Sequence, residues 1–68
     1  MYGTLCIRYR GYTAYRKADD CEGIYDYLTG ACGCDHEEAE DIASWAELAA
    51  IGDEYLPGDP FLEIWIAE

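Results

Sequence analysis

Hydrophobic residues recur with period two at both ends of this chain and with a helical period in between. That order points to a sheet built from the first and last segments, with helices carried by the middle. From Gly3 to Arg10, Leu5, Ile7 and Tyr9 alternate with Thr4, Cys6, Arg8 and Arg10, the pattern of a half-buried strand. The closing FLEIWIAE sets Leu62, Ile64 and Ile66 against Phe61, Glu63 and Trp65 in the same way. Between them, DHEEAEDIASWAELAAIG (Asp35 to Gly52) puts Ala39, Ile42, Trp45, Ala46 and Ala49 on one stripe at about 100° per residue, with Glu37, Glu40, Ser44 and Glu47 opposite. Asp35 and Glu38 have capping-box spacing, and Gly52 suits a left-handed helix stop.

The remaining segments fill in the order. Gly11 interrupts the first strand, and Tyr12, Thr13 and Tyr15 resume it, so a second strand follows a tight turn or bulge at Arg10-Gly11. Asp19 and Glu22 repeat the capping-box spacing ahead of a first helix from Asp20 to about Thr29, with Cys21, Ile24, Tyr25 and Leu28 inward and Gly30 as its stop. Gly23 inside that helix implies a solvent-facing position or a close approach. ACGC links the helices, and in DEYLPGDP the pair Pro57-Gly58 fits the middle of a type II turn. The expected fold is α+β in the order β-β-α-α-β, one domain over residues 1–68. A small antiparallel sheet of two to three strands is covered on one face by two helices. Its other face would show Arg8, Arg10, Glu63 and Trp65, with Arg–Glu and Arg–Trp contacts across strands.

At 68 residues the core is thin, and a chain of this size buries only about 60% of its unfolded surface. A composition 51% hydrophobic and rich in tyrosine nonetheless argues for a folded chain. Charge is the sharper constraint on partners. Four Lys and Arg stand against fifteen Asp and Glu, a net charge of −11. Arg8, Arg10, Arg16 and Lys17 all precede the first acid, and no cation follows Asp19. Such a chain is repelled by nucleic acid and by anionic membranes, which bind chiefly Lys and Arg, and favours basic protein surfaces.

The segment MYGTLCIRYRGY lacks the basic-then-hydrophobic form of a signal, and no stretch reaches the ~20 apolar residues of a membrane span. The expectation is a cytoplasmic protein whose Cys6, Cys21, Cys32 and Cys34 stay reduced as ordinary buried or half-buried thiols. Cys32-x-Cys34-x-His36 is the one metal-like constellation. Its single-residue spacing departs from the C-x₂₋₄-C pairs of structural zinc, so no metal and no cofactor are expected. One histidine beside two thiols and many solvated acids does not distinguish a nucleophile or an acid–base pair, and no catalytic residue is assigned.

Binding is what remains. The candidate partner-binding residues are Asp19, Asp20, Glu22, Asp26, Glu37, Glu40, Asp41, Glu47, Asp53, Glu54 and Asp59, carried by the two helices and the loop at 53–59 without a neighbouring Lys. Along a helix, Glu37 to Glu47 spans roughly 15 Å at 1.5 Å per residue. Two such rows side by side approach the phosphate density of a duplex, one charge per ~1.7 Å. Tyr2, Tyr9, Tyr12, Tyr15, Tyr27 and Tyr55 exceed what so small a core holds, and tyrosine is enriched at interfaces. In length, acidity, aromatic content and lack of catalytic machinery, the chain resembles the small phage-encoded anti-CRISPR and DNA-mimic inhibitors. The resemblance implies a partner such as a CRISPR effector nuclease, met where guide or target DNA would bind. The competing expectations are a structural or homodimeric module with solvated charge, and a metal-stapled domain.

Overall fold

A computed structural model describes residues 3–68 and contains two helices and one sheet; Tyr2 lies outside the described residues. Strand β1 spans Thr4–Tyr9 and β2 spans Tyr12–Lys17. Helix α1 is Cys21–Gly30 and α2 is His36–Leu48. A two-residue strand β3, Glu54–Tyr55, precedes β4, Leu62–Ala67. The sheet is antiparallel throughout with order β2-β1-β4-β3, so the first and last long strands are its central pair.

The β1–β2 connection is a two-residue turn in which Arg10 (φ 51°) and Gly11 (φ 87°) both take positive φ, the conformation that matches the twist of a hairpin. Arginine is a poor residue for that region. Its guanidinium here lies 5.0 Å from the Phe61 ring centroid and 5.5 Å from that of Tyr9, and its backbone N–H donates to the Phe61 carbonyl at 3.1 Å. Arg10 is therefore drawn to the turn and away from the outer sheet face on which the alternation had placed it.

Leu5, Ile7, Leu62, Ile64 and Ile66 of the sheet meet Ile24 and Leu28 of α1 and Ala39, Ile42, Ala43 and Ala46 of α2, with Ala18 and Cys32 closing the core between elements. Ala39, Ala43 and Ala46 are all buried in this core, and Ala43 belongs to this face although the stripe read from sequence omitted it. Trp45, at the margin of that stripe, is half-buried 5.3 Å from the Tyr55 ring.

Several local expectations are corrected. The α1 cap is Asp20 and not Asp19: its carboxylate accepts from the Gly23 N–H at 3.1 Å. A Cβ on Gly23 would strike that carboxylate, so this glycine serves a close approach. Asp35 is the N-cap residue of α2 by its extended backbone but makes no side-chain cap hydrogen bond. Helix α2 stops at Leu48, short of Gly52. The Asp53 carboxylate accepts from the Ala50 N–H at 2.9 Å and the Asp53 N–H donates to the Ala50 carbonyl at 3.0 Å, closing a turn that holds Gly52 at φ 98°. Gly58 lacks the positive φ that a type II turn requires; the loop turns instead at Asp59, whose carboxylate accepts from the Phe61 N–H at 2.9 Å. The short strand β3 was not legible in DEYLPGDP, so the sheet has four strands and not two to three.

Candidate functional site

The register sorts the surface chemistry. Residues directly opposite in an antiparallel pair share a face, so Tyr15, Cys6, Trp65 and Glu54 form one row of the sheet side away from the helices, and Thr13, Arg8 and Glu63 form another. Arg8 is ion-paired with Glu63, and its guanidinium lies 5.4 Å from the Trp65 ring centroid, as the cross-strand reading expected. Cys6 is buried between neighbouring side chains of this row even though no helix covers it. Arg16 turns to the other side, 4.9 Å from the Tyr27 ring of α1. All four cations thus belong to the β1–β2 hairpin.

The helix layer has the opposite character. Neither α1 nor α2 contains Lys or Arg, and both expose carboxylates: Glu22 and Asp26 on α1, Glu37, Glu40, Asp41 and Glu47 on α2. Glu22, Glu37 and Glu38 stand in first turns, where the helix dipole favours negative charge. Asp19, exposed just ahead of α1, adds to the field at Cys21. Asp41 and Glu38 act on the β3 side, where they raise the Tyr55 pKa after the larger effect of burial. The other candidates are not gathered on this face. Asp20 caps α1 and Asp53 closes the turn after α2. Asp59 holds the 59–62 turn, and Glu54 lies on the outer sheet face beside Trp65.

Between the helices runs an open groove of about 430 Å³, lined by Cys21, Glu22 and Tyr25 of α1 and by Glu40, Ala43 and Ser44 of α2. Its side chains are tied together. The Tyr25 hydroxyl bonds His36 Nδ1, the two rings meet edge-on with centroids 5.2 Å apart, and His36 Nε2 is 3.1 Å from Glu40 Oε1. With the hydroxyl donating to Nδ1, the Nε2–H donates to Glu40. Across the groove, Cys21 Sγ lies 3.8 Å from Glu47 Oε2. Local desolvation, then the Glu47 carboxylate, push the Cys21 thiol pKa up. Cys21 and Tyr25 were read from the sequence as core positions, yet Cys21 is exposed and Tyr25 half-buried, because both stand at the edge of the α1 stripe where the second helix ends its cover. The i,i+4 pair His36–Glu40 was the available signal for one side of the groove, but the sequence reading took His36 with Cys32 and Cys34 and took Glu40 with the outward acids.

That metal reading finds no support in the geometry: among the described residues no three His, Cys, Asp or Glu side chains are grouped as ligands. Cys32 is buried, Cys34 is half-buried, and both are free thiols. Burial first, and then Glu38, push the Cys34 pKa up to about 12, the reverse of what a thiolate ligand or nucleophile needs. A second groove of about 290 Å³ flanks β3 and β4, where Leu56, Pro57, Pro60 and Trp65 are bordered by Glu54, Asp59 and Glu63. Among the described residues no helix is long and apolar enough to cross a membrane. Comparison with protein-family models, curated protein sequences and solved structures finds no match to this chain.

Proposed function

We propose that this protein is a stoichiometric inhibitor that sets its acidic helix layer against a nucleic-acid-binding surface of a bacterial defence nuclease, such as a CRISPR effector, in the host cytoplasm. The observation that carries the reading is the partition of charge by element: exposed carboxylates and no Lys or Arg on the helices, and all four Lys and Arg on the hairpin, with Arg16 reaching the Tyr27 ring of α1. A rigid one-signed face steers association with a basic cleft and competes with the polyanion that normally fills it. The reading assigns no reaction and no cofactor to the chain. Asp19, Glu22, Asp26, Glu37, Glu40, Asp41 and Glu47 make the contact; Asp20, Asp53, Glu54 and Asp59 leave the interface list because they hold turns or lie off the helix layer.

The test is DNA binding by a panel of guide-loaded effectors with and without the purified protein. Loss of DNA binding at a one-to-one ratio is expected for its target. Reversing Glu37, Glu40 and Glu47 to Lys should weaken inhibition by more than about tenfold, or about 1.4 kcal/mol, while Thr13→Ser on the far side of the sheet leaves it unchanged. Undiminished DNA binding across the panel at excess protein overturns the reading.

A second reading, a homodimer through the uncovered sheet face, is favoured by the exposed Tyr15 and by the balance of Arg8 and Lys17 with Glu54 and Glu63 on that face, which lets two copies approach without the repulsion two helix faces would meet. Light scattering decides it: a single 7.7 kDa species at all concentrations removes the dimer.

A further inference from the structure

We infer that the groove between α1 and α2 is a socket for an arginine side chain of the partner. This rests on the proposed basic partner and specifies how its surface is gripped. The groove's volume, about 430 Å³, lies above the lower end of ligand sites at about 300 Å³. Its floor is apolar, formed by Ala43, the Cys21 side chain and the Tyr25 ring, and acid stands on both walls, Glu22 on α1 and Glu40 on α2, with Glu47 beyond Cys21.

An apolar trough between carboxylates complements a side chain with an aliphatic stem and a charged planar head. Arginine fits better than lysine because its guanidinium stacks on an aromatic ring and bonds a carboxylate in bidentate fashion. The walls are held before any partner arrives: His36 orients both Tyr25 and Glu40, which lowers the ordering cost of binding. Among the described residues Glu22 has no salt-bridge partner, and Glu40, which is paired with His36 through one carboxylate oxygen, keeps its other oxygen for an incoming cation.

The experiment needs no identified target. The isotopically labelled full chain is titrated with an acetyl-Gly-Arg-Gly-amide peptide, with its citrulline counterpart and with its lysine counterpart, and backbone amide resonances are followed. The expected result is saturable shifts at Cys21, Glu22, Tyr25, Ala43 and Ser44 with the arginine peptide, weaker ones with lysine and none with citrulline. Ser44→Trp, which fills the groove from an exposed position, should abolish them. The near-isosteric pair Glu22→Gln and Glu40→Gln should raise the dissociation constant by about tenfold or more, which keeps the test valid if the tryptophan variant misfolds. Shifts spread evenly to Asp53, Glu54 and Asp59, an equal response to lysine or citrulline, or no response overturn the socket. If the arginine peptide is silent while an effector is still inhibited, the socket fails and the charged face stands. If the peptide occupies the groove while no effector loses DNA binding, the nucleic-acid-surface reading fails and the socket stands.

Discussion

At two glycines and one thiol the local geometry sets the outcome of a single substitution. Gly11 sits at φ 87°, where a Cβ crowds the carbonyl, so Gly11→Ala should destabilise the fold by about 1 kcal/mol or more in urea unfolding, and Gly11→Asn by less. Gly23 presents the reverse case: alanine inside a helix normally gains about 0.5–1 kcal/mol over glycine, but here its Cβ meets the Asp20 cap. Gly23→Ala should therefore fail to stabilise the wild-type chain and should stabilise the Asp20→Ala variant, a coupling that a double-mutant cycle measures. At Cys34 the folded-state pKa, pushed up to about 12 by burial and Glu38, lies above the ordinary value of 9.0. The folded state then holds its proton longer than the unfolded chain. Stability from this group is complete below pH 9.0 and is lost as pH rises towards about 12. Cys34→Ala should flatten the alkaline decline followed by circular dichroism.

At the level of elements, α2 does two jobs with opposite faces. Its inward side is mostly alanine around Ile42, which is fully buried between helix and sheet. Ile42→Ala should cost about 2–5 kcal/mol, enough to unfold a large share of so small a domain at ambient temperature. Leu48, on the last turn of the same helix, is 89% exposed, and Leu48→Ser should change stability by less than about 0.5 kcal/mol. The strands, the helices and the face that each buries were legible because period two and period 3.6 survive in the apolar residues of β1, β4, α1 and α2. The ends of α1 and the start of α2 were read to within a residue, whereas the end of α2 at Leu48, short of Gly52, and the capping side chains were not legible. Capping depends on which of two adjacent acids reaches the first turn, and Asp20 reaches it where Asp19 does not. Strand β3 escaped notice because two residues carry no period; Glu54 and Tyr55 are a strand only because Trp65 and Ile64 lie opposite.

For the whole molecule, a net charge of −11 with the cations confined to one hairpin makes the fold self-repelling on its helix side. Salt should raise its thermal midpoint between about 0.02 M and 0.5 M, as the Debye length falls from tens of ångströms to a few. A midpoint insensitive to salt would mean that the helix carboxylates are already neutralised, and the acidic-face reading would weaken with it. Helix α2, 13 residues and about 20 Å long at 1.5 Å per residue, exposes Glu37, Glu40, Asp41 and Glu47.

The amino-acid order settled the class of fold, the pairing of the outer segments and the absence of cations from the helices, because periodicity and charge are properties of the chain read along its length. Tertiary packing alone decided where each acid lies. Asp20, Asp53 and Asp59 are drawn into turns by backbone N–H groups that need an acceptor, and Glu54 is carried to the far side of the sheet by its register with Trp65. The groove, too, exists only where α1 packs against α2: the spacing of His36 and Glu40 is visible along α2, but nothing along the chain encodes the meeting of His36 with Tyr25.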